Sequence, residues 1–403
     1  MRRRTCSFSF SPVTVKEIEG IVSKLRGSKA TGLDFIDVKN VKAVSQEISP
    51  CLTHIINLSI ETNTFPDVYK HAKVVPLLKS QDKSPVECSS YRPVALLPVL
   101  SRVVEKSLFT LRSNYLETNS LLHPNHHGGH KWHNTTTALV QLHDEWLAAA
   151  EEGLMTGVMM TDLSAAYDLW DHRLGLEKAR LMGLTGDSSL WLSSYITGRS
   201  QRNIVDGYIS SPLKLQAYSV PQGSVGAPLF FLMANSDLPD VIHNHSVSFD
   251  NPTGHCQEDG DSVHFVDDGT VSFSHKDPAV ISEVLTNHYT NFSKYMATNK
   301  FVINDDKTHL RVMAPRRIAE RRHKVSIKAG NFTRKLTNKA DVKTKLMIAN
   351  GIIISKVSYG LLLWGNCQRY LQKALQVTQL SAAQGSVWVQ KLLLVHQTAA
   401  QGL

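Results

Sequence analysis

Hydrophobic and polar positions along the chain fall into two periods. Over residues 12–29 the apolar Ile18, Ile21, Val22 and Leu25 recur on one helical face, with Thr14 placed as N-cap and Glu17 at the capping-box position. The same period predicts helices over residues 48–62, 100–115, 135–151, 168–182, 229–238 and 278–299, and an amphipathic helix over 346–375. Strand-like stretches stand between them. Residues 71–79 and 156–162 are short apolar runs, and 301–313 reads as a turn followed by a strand. In residues 262–273, apolar and polar positions alternate on both sides of Asp267-Asp268-Gly269, the pattern of a tight hairpin.

Composition places 403 residues with 42% hydrophobic and 20% charged positions among ordinary globular chains, long enough for more than one subdomain. No apolar run reaches the ~18 residues of a membrane span, and the basic start (Arg2-Arg3-Arg4) lacks the apolar core of a signal peptide. Five scattered cysteines predict a reduced, intracellular protein, nuclear or cytoplasmic, without a disulfide framework. The net charge of +9 is concentrated in residues 315–345, where eleven Lys or Arg face only Glu320 and Asp341. A concentrated basic segment predicts contact with a phosphate backbone, the alternative being a solvated connector.

Two neighbouring carboxylates at a hairpin tip repel each other, and a divalent cation removes that cost. A third acid at the end of a buried strand would complete the site, and Asp162 ends the apolar run 156–162. Convergence of Asp162, Asp267 and Asp268 predicts a metal-dependent nucleotidyl transferase. Magnesium prefers hard oxygen donors, so two Mg2+ ions are expected, with Mn2+ as substitute. His126 and His130 raise the question of zinc. Their loop offers no cysteine and no further acid, and a polar loop touching nucleic acid is the reading adopted.

The segment Met160-Thr161-Asp162-Leu163-Ser164-Ala165-Ala166-Tyr167-Asp168 resembles the first catalytic motif of reverse transcriptases of non-LTR (LINE-type) retrotransposons. Val220-Pro221-Gln222-Gly223-Ser224 resembles their substrate-positioning loop, Phe265-Val266-Asp267-Asp268 their aromatic-x-Asp-Asp signature, and Asn304-Asp305-Asp306-Lys307-Thr308 their lysine motif. Phe65-Pro66, Tyr91-Arg92-Pro93-Val94 and Ala30-Thr31-Gly32-Leu33-Asp34 agree in order. The similarity covers residues 12–313 and resumes around Ser355-Lys356-Val357-Ser358-Tyr359 and Leu363-Trp364-Gly365.

The resemblance implies an α+β right-hand polymerase: fingers, a palm whose antiparallel sheet carries the catalytic acids, and a shortened helical thumb. It divides the chain into 1–125 (N-terminal extension and fingers), 126–313 (palm with interleaved fingers elements), 314–345 (basic connector) and 346–403 (thumb-like segment). It implies RNA-directed DNA synthesis from dNTPs on an RNA template and a DNA primer. Asp162, Asp267 and Asp268 would hold the metals, and Lys307 would protonate departing pyrophosphate. Tyr167 would sit under the sugar and exclude a 2′-hydroxyl. Lys79 and Arg92 would grip the triphosphate, and Gln222 and Gly223 would contact nucleotide or template. Gly226-Ala227 departs from the family's Leu-Gly, Phe265 from its Tyr, and His127-Gly128-Gly129-His130-Lys131 lacks the usual Phe-Arg. After Met313 the primer-grip hairpin is expected to be truncated. Without a recognisable endonuclease before residue 12, or RNase H acids at the other end, the chain reads as a fragment. The rival readings are a catalytically inactive remnant that binds nucleic acid, and a two-metal nuclease or cyclase.

Overall fold

The computed structural model describes residues 7–27, 30–242, 261–265, 268–315, 320, 324–329 and 332–335. The expected residues 346–375, the Gln-rich tail, most of the polar insertion after Asn244, and Asp267 itself lie outside them.

The N-terminal helix α1 (Val15–Ser23) starts where the pattern placed it. Thr14 accepts from the Glu17 N–H, and the Glu17 carboxylate reaches back to the Thr14 N–H at 2.7 Å. After it come α2 (Val38–Ala43), capped by Asp37, and α3 (Ser45–Glu61). Strands β1 (His71–Leu78) and β2 (Tyr91–Leu96) form an antiparallel pair in which Leu77 faces Arg92. Next come α4 (Val99–Thr118), α5 (Thr135–Glu151), β3 (Met155–Thr161) and the short β4 (Leu163–Ser164).

The expected helix over 168–182 is shorter. Asp171 accepts from the Leu174 N–H and caps α6 (His172–Leu181), while the residues before it turn back on themselves. Sequence periodicity missed α7 (Asp187–Ile196) and the strands β5 (Ser200–Val205), β6 (Tyr208–Ile209) and β7 (Leu213–Lys214). The apolar run after Pro228 splits into α8 (Ala227–Ala234) and α9 (Leu238–Ile242). The Asp-Asp hairpin is β8 (Asp261–Phe265) and β9 (Asp268–His275), followed by α10 (Pro278–Thr298), β10 (Val302–Ile303) and β11 (His309–Met313). In the basic segment expected as a connector, β12 (Ser326–Ala329) and β13 (Phe332–Lys335) pair as a hairpin. Val325 and Ile327 are buried in the main core, so this part is packed onto the body.

Two sheets organise these elements. An antiparallel sheet in the order β11-β3-β9-β8 is backed by α10, and a second sheet runs β2-β1-β5-β6 with β7 beside β5. One large core joins α1, α3, α4, α7, α8 and α10 to β3 and β9. At its centre Phe65, Phe109, Trp191, Tyr195 and Phe230 pack ring on ring, with Trp191 and Tyr195 stacked at 5.6 Å and Tyr195 and Phe230 at 5.7 Å. Each such ring removes a large apolar area from water, which explains why the Ser-rich α7 forms: its Trp191, Leu192 and Tyr195 are buried. No helix of the described residues is long and apolar enough to cross a membrane.

Candidate active site

The ladder between β3 and β9 runs from Met155 opposite His275 to Thr161 opposite Gly269. Asp162 and Asp268 are each one residue past that last rung, on neighbouring strands. Both acids therefore lie at the same end of the β3–β9 ladder, where the chain after β3 leaves it to pair with β10. The Asp162 side chain is largely shielded (18% exposed) and Asp268 is exposed. Asp267 lies outside the described residues, and among those described no group of three or more His, Cys, Asp or Glu could hold a metal ion.

Asp162 is fixed from the far side by the turn after β10. Its carbonyl accepts from the Asn304 N–H at 2.9 Å, and its Oδ2 accepts from Lys307 Nζ at 2.6 Å. Lys307 therefore stands against Asp162 as the partner of its carboxylate. The two carboxylates at this end of the ladder are hard oxygen donors, the type a divalent cation takes.

Downstream of Asp162, β4 pairs with β10 and the chain then turns at Ala165, which has φ 49°. A side chain rarely adopts that conformation, so the small residue limits the strain. The turn carries Tyr167, half-buried with its ring 6.1 Å from Phe231, and the Tyr167 carbonyl accepts from the Val220 N–H at 2.9 Å. That bond joins the first acidic motif to the loop of Gln222. Further on, burial alone would push the Asp171 carboxyl up. The Lys300 ammonium at 2.6 Å and the Leu174 N–H together hold it below the usual range.

The loop 220–226 docks on the free edge of β2, where the Ala95 N–H donates to the Gln222 carbonyl at 2.9 Å. Gly223 has φ +121°, and a Cβ there would lie 2.6 Å from the Ala95 carbonyl oxygen, so both conformation and space require glycine. At Gly226 a Cβ would fall 2.4 Å from the Phe109 ring. This explains the departure at that position: Phe109 of α4 takes up the room that a leucine would need.

Lys79 and Arg92 are exposed on the β1–β2 hairpin. The Lys79 N–H donates to the Ser90 carbonyl, extending the ladder by two residues, so the two cations share one face with Lys73. Lys73 is in register with Arg202, and His71 with Ser200, which faces Lys214. All five cations therefore lie on one side of the sheet, and none of its strands contains an acid. Lys79 Nζ donates to the Ser89 carbonyl at 2.8 Å. This hairpin meets the Gln222 loop through Ala95.

Sequence reasoning missed Glu105, Lys178, Asp237 and Tyr295, which sit in helices or turns without a motif around them. The histidine loop does form contacts. Asn125 and His127 bond the backbone of His264 in β8, at 2.8 and 2.7 Å, and His126 Nε2 is 2.7 Å from the Asn235 carbonyl. Burial pushes His126 down to about 4, so its ring is a neutral brace beside the acidic hairpin.

Among known proteins, residues 78–339 match the model of a family described as reverse transcriptase (RNA-dependent DNA polymerase). An RNA-directed DNA polymerase from mobile element jockey of Drosophila melanogaster is 28% identical over 233 residues, covering 58% of this chain and 25% of that protein. The jockey polymerase of Drosophila funebris is 29% identical over 229 residues, covering 57% of this chain and 25% of its own length. A probable RNA-directed DNA polymerase from transposon X-element of Drosophila melanogaster is 25% identical over 229 residues, with the same shares of 57% and 25%. The chain spans about a quarter of the length of these curated relatives. Among solved structures, apo telomerase from Candida tropicalis, truncated from its C-terminal domain, superposes with TM-score 0.44 and 11% identity over 61% of this chain and 50% of that one.

Proposed function

Because this chain belongs to the reverse transcriptase (RNA-dependent DNA polymerase) family, we propose that it adds dNTPs to a primer 3′-hydroxyl under the direction of an RNA template. Its mixed helix and sheet architecture fits the palm and fingers of a polymerase. In this reading β11-β3-β9-β8 is the palm sheet and the β1–β2 hairpin with β5 belongs to the fingers. The observation that supports it is the β3–β9 ladder, which ends at the Thr161–Gly269 rung with Asp162 and Asp268 one residue beyond it on neighbouring strands.

Asp162, Asp267 and Asp268 would hold two divalent ions, Mg2+ or Mn2+, which when bound activate the attacking oxygen and offset triphosphate charge. The chain's own groups do the rest. Asp162 is held by Asn304 at its backbone carbonyl and by Lys307 at its carboxylate, which limits the positions its side chain samples. Lys307 can give a proton to the pyrophosphate oxygen that leaves. Tyr167, anchored by its carbonyl to Val220, would set its ring against the 2′ position of the incoming sugar. Gln222 and Gly223 bring backbone close to the nucleotide or template base. Lys79 and the forked guanidinium of Arg92 bind the triphosphate.

Primer extension by the purified chain on an RNA template, with and without Mg2+, is the test. Activity that requires the metal and disappears in Asp267→Asn, with an unchanged unfolding midpoint, is expected. Extension that persists in that variant overturns the proposal, and nucleic-acid binding without extension by the unsubstituted chain would leave the inactive remnant as the better reading.

A further inference from the structure

Glu105 is a buried acid that none of the roles above uses. It lies in α4 with no exposed surface, and it faces the loop that carries Gln222 and Gly223. Its Oε2 accepts from the Val225 N–H at 2.8 Å across 120 residues of sequence, and its Oε1 accepts from the Ser101 hydroxyl at 2.9 Å. One helical turn further, Phe109 closes on Gly226, so the same stripe of α4 meets two consecutive loop residues. On its other side the loop is pinned to β2 through Ala95 and to Tyr167 through Val220.

The cost of this arrangement is itself informative. A carboxylate buried this deeply is expensive, and burial pushes the Glu105 carboxyl up despite the opposing Arg199 guanidinium. A neutral side chain would fill the space more cheaply. What the acid provides is a strong acceptor for a backbone N–H in a loop that has no regular ladder to satisfy it.

We propose that Glu105 is a positioning residue of the polymerase site, holding loop 220–226 from below so that Gln222 and Gly223 present a fixed surface to the incoming nucleotide. This rests on the polymerase reading for its consequence, though not for its geometry. Glu105 does not touch substrate. It acts through Val225, and its loss frees the loop to sample other shapes.

Two substitutions separate positioning from simple stability. Glu105→Met keeps volume and removes the acceptor, whereas Glu105→Gln keeps an amide oxygen for Val225. Amide hydrogen exchange should show loop 220–226 deprotected in Glu105→Met and protected in Glu105→Gln, with β3 and β9 unchanged in both. In primer extension, KM for dNTP should rise about tenfold in the Met variant, the scale of one lost buried hydrogen bond, with affinity for primer-template unchanged and the Gln variant near wild type. Unaltered loop exchange in Glu105→Met overturns the inference. So does lost protection with an unchanged KM, or a fall in activity that merely follows the folded fraction. If the unsubstituted chain extends no primer, the polymerase reading fails, while the exchange comparison still decides whether Glu105 holds the loop.

Discussion

Asp162 is held by Asn304 at its carbonyl and by Lys307 at its carboxylate, and the second partner is informative. Lys307 Nζ lies 2.6 Å from Asp162 Oδ2, yet the lysine is 64% exposed, so solvent screens the pair and it stabilises the fold little. Its effect is on occupancy of the carboxylate, because an ammonium and a divalent cation compete for the same oxygen. Replacing Lys307 with Met should therefore tighten Mn2+ binding to the free chain by about two- to fivefold, the range expected of an exposed ion pair. Titration followed by electron paramagnetic resonance measures this without any turnover. Unchanged or weaker binding would mean that the lysine does not compete. Asp162 was legible as an acid ending an apolar strand, and Lys307 through the resemblance of Asn304-Asp305-Asp306-Lys307-Thr308 to the family's lysine motif. Their direct contact was not, because it crosses 145 residues and depends on how β10 turns back.

Elements show where a linear pattern succeeds and where it fails. The helix at Thr135–Glu151 and the capping box of α1 are readable because cap and apolar stripe lie within one local segment. The strands β5, β6 and β7 are mostly exposed and polar, and β5 is set by parallel pairing with β1, 129 positions earlier at His71 and Ser200. No local period encodes such a partner. This missed pairing is what gathers Lys73, Lys79, Arg92, Arg202 and Lys214 onto one side of an acid-free sheet. A like-charged face of this kind gains from a polyanion and relieves its own repulsion on binding. Changing Lys73 and Arg202 together to Ser should weaken binding of single-stranded RNA and flatten the plot of log affinity against log salt by about 1.4, at about 0.7 per lost phosphate contact. Fluorescence anisotropy between 50 and 300 mM salt, roughly the range where screening matters, is the measurement. An unchanged slope would remove this face from the nucleic-acid path.

At the scale of the whole molecule, α6, α8 and α10 meet at a polar junction that no sequence motif announced. Lys178 on α6 donates to the Ala234 carbonyl and stands 3.1 Å from Asp237 Oδ1, while the Tyr295 hydroxyl on α10 donates to the same Asp237 oxygen at 2.6 Å. Burial would push the Asp237 carboxyl up. The Lys178 ammonium and the Tyr295 hydroxyl more than offset that and hold it below the ordinary value of 3.8. A carboxylate whose folded pKa is depressed contributes stability that is present above the ordinary value and is lost as pH falls through the depressed one. Asp237→Asn leaves the Lys178 charge shielded without its counterion, and breaking a buried pair in this one-sided way costs about 3–5 kcal/mol. The variant should therefore melt well below the wild type at pH 7, and the gap should narrow progressively below about pH 3.8 as the wild-type carboxyl takes up its proton. Replacing Lys178 with Met in the same chain removes the stranded charge and should recover much of the loss, since an apolar junction is often no worse than the intact pair. Thermal unfolding of the two single variants and the double variant, scanned across pH, decides it. A gap that stays constant with pH, or a double variant whose loss is the simple sum of the singles, would mean that the junction is held by packing around the helices and that charge contributes nothing.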